Sequence, residues 1–151
     1  MSAPTRLLAV DYGTVRIGLA ISDPERKFAF PLATYIRRNR QADASFFQEL
    51  VSGEEVGQIL LGLPVHLSGH EGQKAQEARR FGKWLGDTTG LPVIFWDERF
   101  TTVEAEQALL SAGLTKKRRQ ARRDRVAAQI LLQSYLDAGC PGEQASRPLD
   151  E

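Results

Sequence analysis

Three acidic sites in the sequence have residue types and positions suited to holding a divalent cation. Asp11 comes directly after the apolar run of residues 7–10, and Asp97 and Glu98 follow the apolar run of residues 93–96. A carboxylate at the end of a buried strand is costly to desolvate unless a cation or strong donors meet it. The alternative role for Asp11 is to cap the turn at Gly13.

Asp124 belongs to the last helical pattern, and its phase predicts where it points. It shares one helix face with residues spaced at i+3, i+4, i+7, i+11 and i+14, namely Ala127, Ala128, Leu131, Tyr135 and Ala138. The opposite face carries Arg122, Arg125 and Gln129. The pattern therefore predicts that Asp124 points toward the sheet from the first turn of a helix over residues 122–138. The alternative is an exposed Asp that stabilises the positive end of the helix dipole.

Asp97 and Glu98 lie in a predicted loop between a strand and a helix, at the carboxyl end of a parallel strand, where ligands of α/β sheets collect. Solvated charges are the alternative for this pair. Three carboxylate sites without Cys favour Mg²⁺ or Mn²⁺ over Zn²⁺. Two such ions about 4 Å apart can activate a water and stabilise the leaving oxygen of a phosphodiester. His66 and His70 lie in another loop and either touch substrate or are solvated.

Basic residues are concentrated in one segment of the chain. The formal net charge is only +1, but seven of the ten residues 116–125 are Lys or Arg. Such a block can neutralise nucleic-acid phosphates without reading sequence, and a merely solvated polar face is the alternative. The predicted nucleic-acid contacts are Arg16, Lys116, Lys117, Arg118, Arg119, Arg122, Arg123 and Arg125.

The elements that must position these residues follow the order β-β-β-α-β-α-β-α-α. Apolar runs and alternation predict strands at residues 7–10, 16–22, 31–36, 58–63 and 93–96. Helical spacing and capping residues predict helices at residues 42–51, 73–85, 102–112 and 122–138. This order predicts an α/β fold with a mixed five-stranded sheet, three antiparallel strands followed by two parallel ones, flanked by helices. Pro92 favours an edge position for the fifth strand.

Length and composition indicate one globular domain. The 151 residues are 42% hydrophobic and 26% charged, so we expect a single domain over residues 1–138 and a flexible tail over residues 139–151. No apolar run is long enough to span a bilayer, and no charged-then-apolar leader is visible, so we expect a cytoplasmic protein without a membrane partner. The single cysteine, Cys140, excludes an internal disulfide.

Four ordered motifs resemble the YqgF/RuvX family, relatives of the RuvC resolvases. They are VDYGTVRIGLAISD at residues 10–23, LLGLPVHLSG at residues 60–69, DERFTT at residues 97–102 and KKRRQARRDRVAAQILLQSYL at residues 116–136. The resemblance implies an RNase H-like fold and a nuclease that requires Mg²⁺ or Mn²⁺. It also implies Asp11, Glu98 and Asp124 as catalytic metal ligands. Asp97, next to Glu98, is a separate candidate for an accessory acid. The substrate it implies is either the 5′ end of pre-16S rRNA or a Holliday junction.

One feature of the sequence departs from RuvC. RuvC-type enzymes place their second acid after the strand beside the central one, whereas here that strand ends in Leu63 and Pro64 and the acid comes one strand later.

Three other functions are alternatives to an rRNA nuclease. An actin-like ATPase also begins with Asp-x-Gly-Thr, but it needs two domains. A non-catalytic RNA-binding assembly factor needs only the basic segment. A resolvase of branched DNA should form a homodimer to cut symmetrically.

Overall fold

The central strand of the sheet is the first strand of the chain. The computed structural model describes residues 5–64, 72–97 and 115–141. Five strands, β1 (Arg6–Asp11), β2 (Arg16–Ser22), β3 (Ala29–Ile36), β4 (Val56–Leu63) and β5 (Val93–Asp97), form one sheet in the order β3-β2-β1-β4-β5. β1, β2 and β3 pair antiparallel, whereas β4 is parallel to β1 and β5 is parallel to β4. The predicted mixed sheet is therefore confirmed.

The two outer strands lie close to their predicted positions, with one difference at the start of β3. β3 begins two residues earlier than predicted, so Pro31 lies inside an edge strand, where a missing N–H is tolerated. β5 is the other edge strand, as Pro92 indicated. The carbonyl of Pro92 still contributes, because it accepts a hydrogen bond from the amide of Ile59 at 2.9 Å.

Two helices cover one face of the sheet. Helix α1 (Arg40–Gly53) begins after Asn39, whose side chain accepts a hydrogen bond from the amide of Ala42. Helix α2 (Gln73–Thr89) extends four residues beyond its predicted end and stops at Gly90, which adopts a left-handed conformation with φ of 75°. The helix predicted over residues 102–112 lies outside the described residues.

Helix α3 (Lys116–Asp137) covers the other face, and its predicted start at residue 122 was wrong. It begins six residues earlier, where the Thr115 side chain accepts a hydrogen bond from the amide of Arg118. Lys and Arg have high helix propensity, so the basic segment extends the helix rather than preceding it. Asp124 is therefore the ninth helical residue, and the helix dipole at the N-terminus does not explain its position.

Alternation along the strands divides the core into two layers. Leu8 and Val10 of β1 pack with Phe47 of α1 and Phe81 of α2. The intervening residues of β1 face α3 instead; this second layer contains Leu7, Ala9, Ala20, Leu60, Ile94, Ala128, Leu131, Leu132 and Tyr135. Both faces of the sheet are thus covered, with α1 and α2 on one side and α3 on the other. In the part of the chain that the structure describes, no helix is long and apolar enough to span a membrane.

Candidate metal centre at the carboxyl edge of the sheet

Asp11 is the last residue of β1, and the strand alternation sets the face on which it lies. Leu7 and Ala9 pack in the layer that faces α3, so Asp11, two residues further along, lies on the α3 face. Glycines flank it on both neighbouring strands: Gly18 of β2 is its partner in the register, and Gly62 of β4 follows the partner of Val10. Asp11 therefore lies between two positions that have no side chain.

Gly18 is the point where α3 comes closest to the sheet. A Cβ atom added to Gly18 would lie 1.9 Å from the carbonyl oxygen of Asp124, far inside van der Waals contact. The backbone of α3 at Asp124 therefore rests directly on the residue beside Asp11, and paired residues on adjacent strands have Cα atoms about 4.5–5.5 Å apart. The fold brings two of the three predicted acids to the same face of the same edge.

Among the described residues, two side chains donate hydrogen bonds to the carboxylate of Asp124. Arg16 Nε donates to Oδ2 at 3.1 Å, and Gln120 Nε2 donates to Oδ1 at 3.2 Å. The side chain of Asp124 is 17% exposed and that of Arg16 is 40% exposed. Each carboxylate oxygen has a second lone pair, so a cation can bind while these hydrogen bonds persist. Arg16, which the sequence predicted to contact nucleic acid, therefore pairs with Asp124, a candidate metal ligand. The two residues are too far apart in the sequence for a local pattern to predict this contact.

Asp97 lies on the other face of the sheet. It ends β5 opposite Leu63, and Phe95 two residues earlier packs against the layer of α1 and α2. Strand alternation therefore directs Asp97 away from α3 and from Asp11. Glu98 lies outside the described residues, as do His66 and His70.

The described donors suit a hard cation. Asp11 and Asp124 supply carboxylate oxygens, the ligands that Mg²⁺ and Mn²⁺ prefer. Among residues 5–64, 72–97 and 115–141, no three His, Cys, Asp or Glu side chains group closely enough to hold a metal ion together. Glu98, the third predicted ligand, lies outside those ranges.

The surroundings of this edge offer positive charge on both sides. The basic segment forms the first turns of α3, where Arg118 and Arg123 are exposed and Arg122 and Arg125 are half-buried. On the α2 side, a cavity of about 540 Å³ is bordered by Asp11 and Gly62 together with Lys74 and Glu77. A phosphate at the carboxyl edge would therefore meet a Lys from α2.

Comparison with known proteins identifies the family. The sequence profile described as "RuvX: Holliday junction resolvase" matches residues 5–138. The chain belongs to this family. A Rhodopirellula baltica protein named "Putative pre-16S rRNA nuclease" is 46% identical over 136 residues, which cover 90% of this chain and 79% of that protein. A Syntrophomonas wolfei protein with the same name is 41% identical and covers 91% of this chain and 98% of its own length.

Solved structures confirm the fold. Thermus thermophilus RuvC in complex with a Holliday junction substrate aligns with a TM-score of 0.56 at 16% identity, covering 89% of this chain and 96% of RuvC. A second Thermus thermophilus RuvC structure aligns with a TM-score of 0.51. The RNase H-like fold predicted from the four motifs is therefore confirmed, and family membership makes the chain a nuclease, an enzyme of the hydrolase class.

Proposed function

We propose that this nuclease hydrolyses phosphodiester bonds in the precursor of 16S rRNA and depends on Mg²⁺ or Mn²⁺ held by Asp11, Glu98 and Asp124. One observation carries the proposal. The backbone of α3 rests on Gly18, so that Asp124 stands on the sheet face and at the edge where Asp11 ends β1. Two partly buried carboxylates thus lie on the same face of this edge, and carboxylates are suited to holding the divalent ions that hydrolyse phosphodiesters.

The protein's own groups divide the work between binding and positioning. Bound divalent ions would supply an activated water and stabilise the leaving oxygen. Arg16 and Gln120 hold the Asp124 carboxylate in one orientation, so its ligand geometry is set before substrate arrives. Lys74 at the mouth of the edge cavity can neutralise a substrate phosphate, and the exposed arginines of α3 attract the nucleic-acid backbone.

The choice of RNA rests on the relatives. The similar proteins from Rhodopirellula baltica and Syntrophomonas wolfei carry a name that specifies pre-16S rRNA. A nuclease with this substrate acts where ribosomes are assembled, so the proposal includes a cytoplasmic location. The second candidate is cleavage of branched DNA, which the description of the family profile favours. Symmetric junction cleavage would require a homodimer.

Side-by-side cleavage assays test the proposal. The purified chain is given a precursor fragment spanning the 5′ end of 16S rRNA and, separately, a four-way DNA junction, each with Mg²⁺, Mn²⁺ or a chelator. We expect metal-dependent cleavage of the RNA fragment and no symmetric cleavage of the junction. Symmetric junction cleavage by a dimer would favour the second candidate. Tight RNA binding without cleavage under any metal condition would favour a non-catalytic assembly factor instead.

Three Asp→Asn variants assign the acids. We expect Asp11→Asn to lower the cleavage rate by roughly a hundredfold or more, because metal-ion stabilisation of the transition state contributes several kcal/mol. Asp87→Asn is the matched control, an exposed acid on α2 away from the edge. Asp97→Asn tests whether Asp97, the neighbour of Glu98, takes part in catalysis. Because Asp97 lies on the other sheet face, we expect its loss to affect cleavage far less than the loss of Asp11. Equal losses in Asp11→Asn and Asp87→Asn would remove Asp11 from the site.

A further inference from the structure

A second cleft lies beside the candidate metal centre, on the face of the sheet opposite α3. Its volume is about 640 Å³, within the range of about 300–1,000 Å³ common for ligand pockets. Three segments form its walls: the β1–β2 turn, the loop after β3 together with the first turn of α1, and one side of α2. Tyr12, Thr14 and Glu77 border both this cleft and the cavity at Asp11, so the two are continuous along the edge.

The cleft is rich in arginine. Arg37, Arg38, Arg40 and Arg80 line it, against the two carboxylates of Asp43 and Glu77. Asp43 is 4% exposed and is directed inward, where it pairs with Arg37 and accepts a hydrogen bond from Tyr35. The other three arginines are exposed, and the side chains of Arg40 and Arg80 have no hydrogen bond or ion pair with the described residues. Among the described residues that line the cleft, Glu77 is the one remaining acid that offsets this exposed positive charge.

Arg37 fixes the wall that the cleft shares with the metal centre. Its guanidinium carbon lies 5.4 Å from the ring centroids of both Tyr12 and Phe81. Nη1 of Arg37 also donates to Tyr12 Oη and to the carbonyl of Gly13, each at 3.3 Å. The turn that follows Asp11 is thereby tied to the loop before α1. Asp43 in turn pairs with Arg37, so the rings of Tyr12 and Phe81 are held in place before any ligand binds.

Aromatic rings complete the cleft. Tyr12 and Trp84 are half-buried in its wall, and Trp84 is anchored from behind by Phe81, with ring centroids 5.4 Å apart. Exposed cations beside partly exposed aromatic faces are the combination that binds single-stranded nucleic acid, in which phosphates meet the cations and unpaired bases stack on the rings. A duplex offers its phosphates but keeps its bases stacked inside, so it would use only half of these groups.

We propose that this cleft binds a single-stranded stretch of nucleic acid flanking the cleaved bond, with Arg38, Arg40 and Arg80 on its phosphates and Tyr12 and Trp84 against its bases. The inference rests on the proposed nuclease function and adds a substrate requirement to it. The basic segment of α3 lies on the other face of the same edge, so the scissile phosphate lies between two positive surfaces. The preferred substrate then has an unpaired extension next to the cut.

Binding to two matched probes tests the proposal. One is a blunt RNA duplex, and the other is the same duplex with a single-stranded extension of about six nucleotides, within the ~4–16 nucleotides that single-strand sites span. Fluorescence anisotropy is measured in chelator, where metal-dependent cleavage stops. We expect the wild type to bind the extended probe more tightly. The double variant Arg40→Gln/Arg80→Gln should lose that preference, bind the blunt duplex as before, and show a log-log salt slope for the extended probe smaller by roughly 1.4.

A matched control removes a cation from the same helix outside the cleft. Lys83 is exposed on α2 and borders a different groove, so Lys83→Gln should leave both affinities unchanged. Equal weakening of both probes in the double variant, or the same loss in Lys83→Gln, would mean a general charge effect and overturn the proposal. If the wild type cleaves its substrate but binds both probes equally, the proposed single-strand binding by the cleft is wrong and the proposed nuclease function is unaffected. Preference for the extension without cleavage under any metal condition would overturn only the proposed nuclease substrate.

Trp84 itself provides a second readout. The other tryptophan, Trp96, lies on the α3 face against Tyr135, so Trp96→Phe leaves Trp84 as the single reporter. We expect the extended probe to quench Trp84 fluorescence and the blunt duplex to leave it unchanged. The converse variant, Trp84→Phe, retains only Trp96 and should respond to neither probe. Quenching by both probes to the same extent would show that bases of the extension do not reach the cleft.

Discussion

The two faces of the sheet are packed by different means. On the face of α1 and α2 the gap is filled by rings: Phe47 contacts Tyr35, Phe46, Phe81 and Trp84, with centroids 5.2–6.4 Å apart. On the α3 face the layer contains Ala9, Ala20 and Ala128, and at Gly18 the helix backbone itself touches the sheet. The α1 and α2 layer is therefore packed mainly through aromatic rings, whereas the α3 layer combines aliphatic side chains with a direct backbone contact at Gly18.

This difference matches the role that we propose for each face. A metal ligand must be held within a few tenths of an ångström, and a helix resting on a glycine has little freedom to shift toward the strand. The aromatic layer has no such constraint, and its outer rings line the arginine-rich cleft instead. The comparison predicts that damage to the aromatic layer lowers stability first, whereas damage to the glycine contact lowers activity as well.

The largest expected effect on stability is from Phe47→Ala. Phe47 is fully buried at the centre of the aromatic layer, so truncation should cost about 3–5 kcal/mol of unfolding free energy. The cleavage rate per folded molecule should remain near that of the wild type, because α3 is untouched. Urea unfolding and cleavage assays at a temperature where the variant is folded check both points, and Phe47→Leu serves as the milder control. Loss of activity in fully folded Phe47→Ala would mean that the two faces are not separable.

Gly18→Ala should have the next largest effect on stability. The new methyl group would overlap the Asp124 carbonyl, and overpacking against backbone costs about 3 kcal/mol at the upper end of its usual range. Because α3 must move away, the folded protein should also lose metal-dependent cleavage. Gly53→Ala is the control, since nothing lies within 4 Å of its added Cβ. A Gly18→Ala protein with normal stability and activity would show that the backbone contact does not position Asp124.

Asp124→Asn tests whether the α3 face binds metal. If Asp124 is a ligand, Mn²⁺ should stabilise the wild type by about 2.7 kcal/mol at a free concentration of 100 Kd, and the variant should lose most of that increment. In chelator we expect only a change of about 0–1 kcal/mol, because the pair with Arg16 is partly exposed and the Asn oxygen can still accept from Arg16 or Gln120. Asp137→Asn, an exposed acid at the end of the same helix, should keep the full Mn²⁺ response. An unchanged response in Asp124→Asn would leave Asp124 with a purely structural role.

The sequence predicted the sheet well because each strand is marked locally. Apolar runs identified β1 and β4, alternation identified β2, and the short breaks between the first three strands indicated hairpins. The start of α3 could not be predicted from hydrophobic phase, because residues 116–119 are all Lys or Arg and offer no apolar stripe. Helix propensity and the cap at Thr115 determine where the helix begins. A glycine within β2 is a recognised signal of close backbone approach, and Gly18 could have been noticed on that ground.

The candidate site could be predicted from the sequence only where its residues are marked by local patterns. Asp11 and Asp124 could be singled out because strand end and helix phase are local properties. Which of Asp97 and Glu98 is the metal ligand depends on the register of β5, because consecutive residues of a strand point to opposite faces of the sheet. The sequence alone does not show where β5 ends. The pair of Arg16 with Asp124 and the arginine-rich cleft each join distant segments, so no local pattern contains them.

The smallest expected effect concerns the hydrogen bond behind the cleft. Burial, together with the hydrogen bond that Tyr35 donates to Asp43 at 2.6 Å, raises the pKa of Tyr35 to about 12 from its ordinary 10.0. A pKa raised by folding contributes stability that is fully present below the unfolded value and is lost as pH rises through the folded value. The stability supported by this phenol should therefore be intact below pH 10.0 and disappear toward pH 12, where a phenolate would face the Asp43 carboxylate.

Tyr35→Phe isolates this contribution, because it removes the hydroxyl and keeps the ring, which stacks on Phe46 at 3.9 Å. Other groups titrate alike in both proteins and cancel in the difference between their unfolding free energies. We expect that difference to be constant up to pH 10.0 and then to shift in favour of the variant between pH 10.0 and about 12. A difference that does not change over this interval would mean that Tyr35 titrates as it does in the unfolded chain. The bond to Asp43 would then not help to hold the cleft wall, and the aromatic face would depend on ring packing alone.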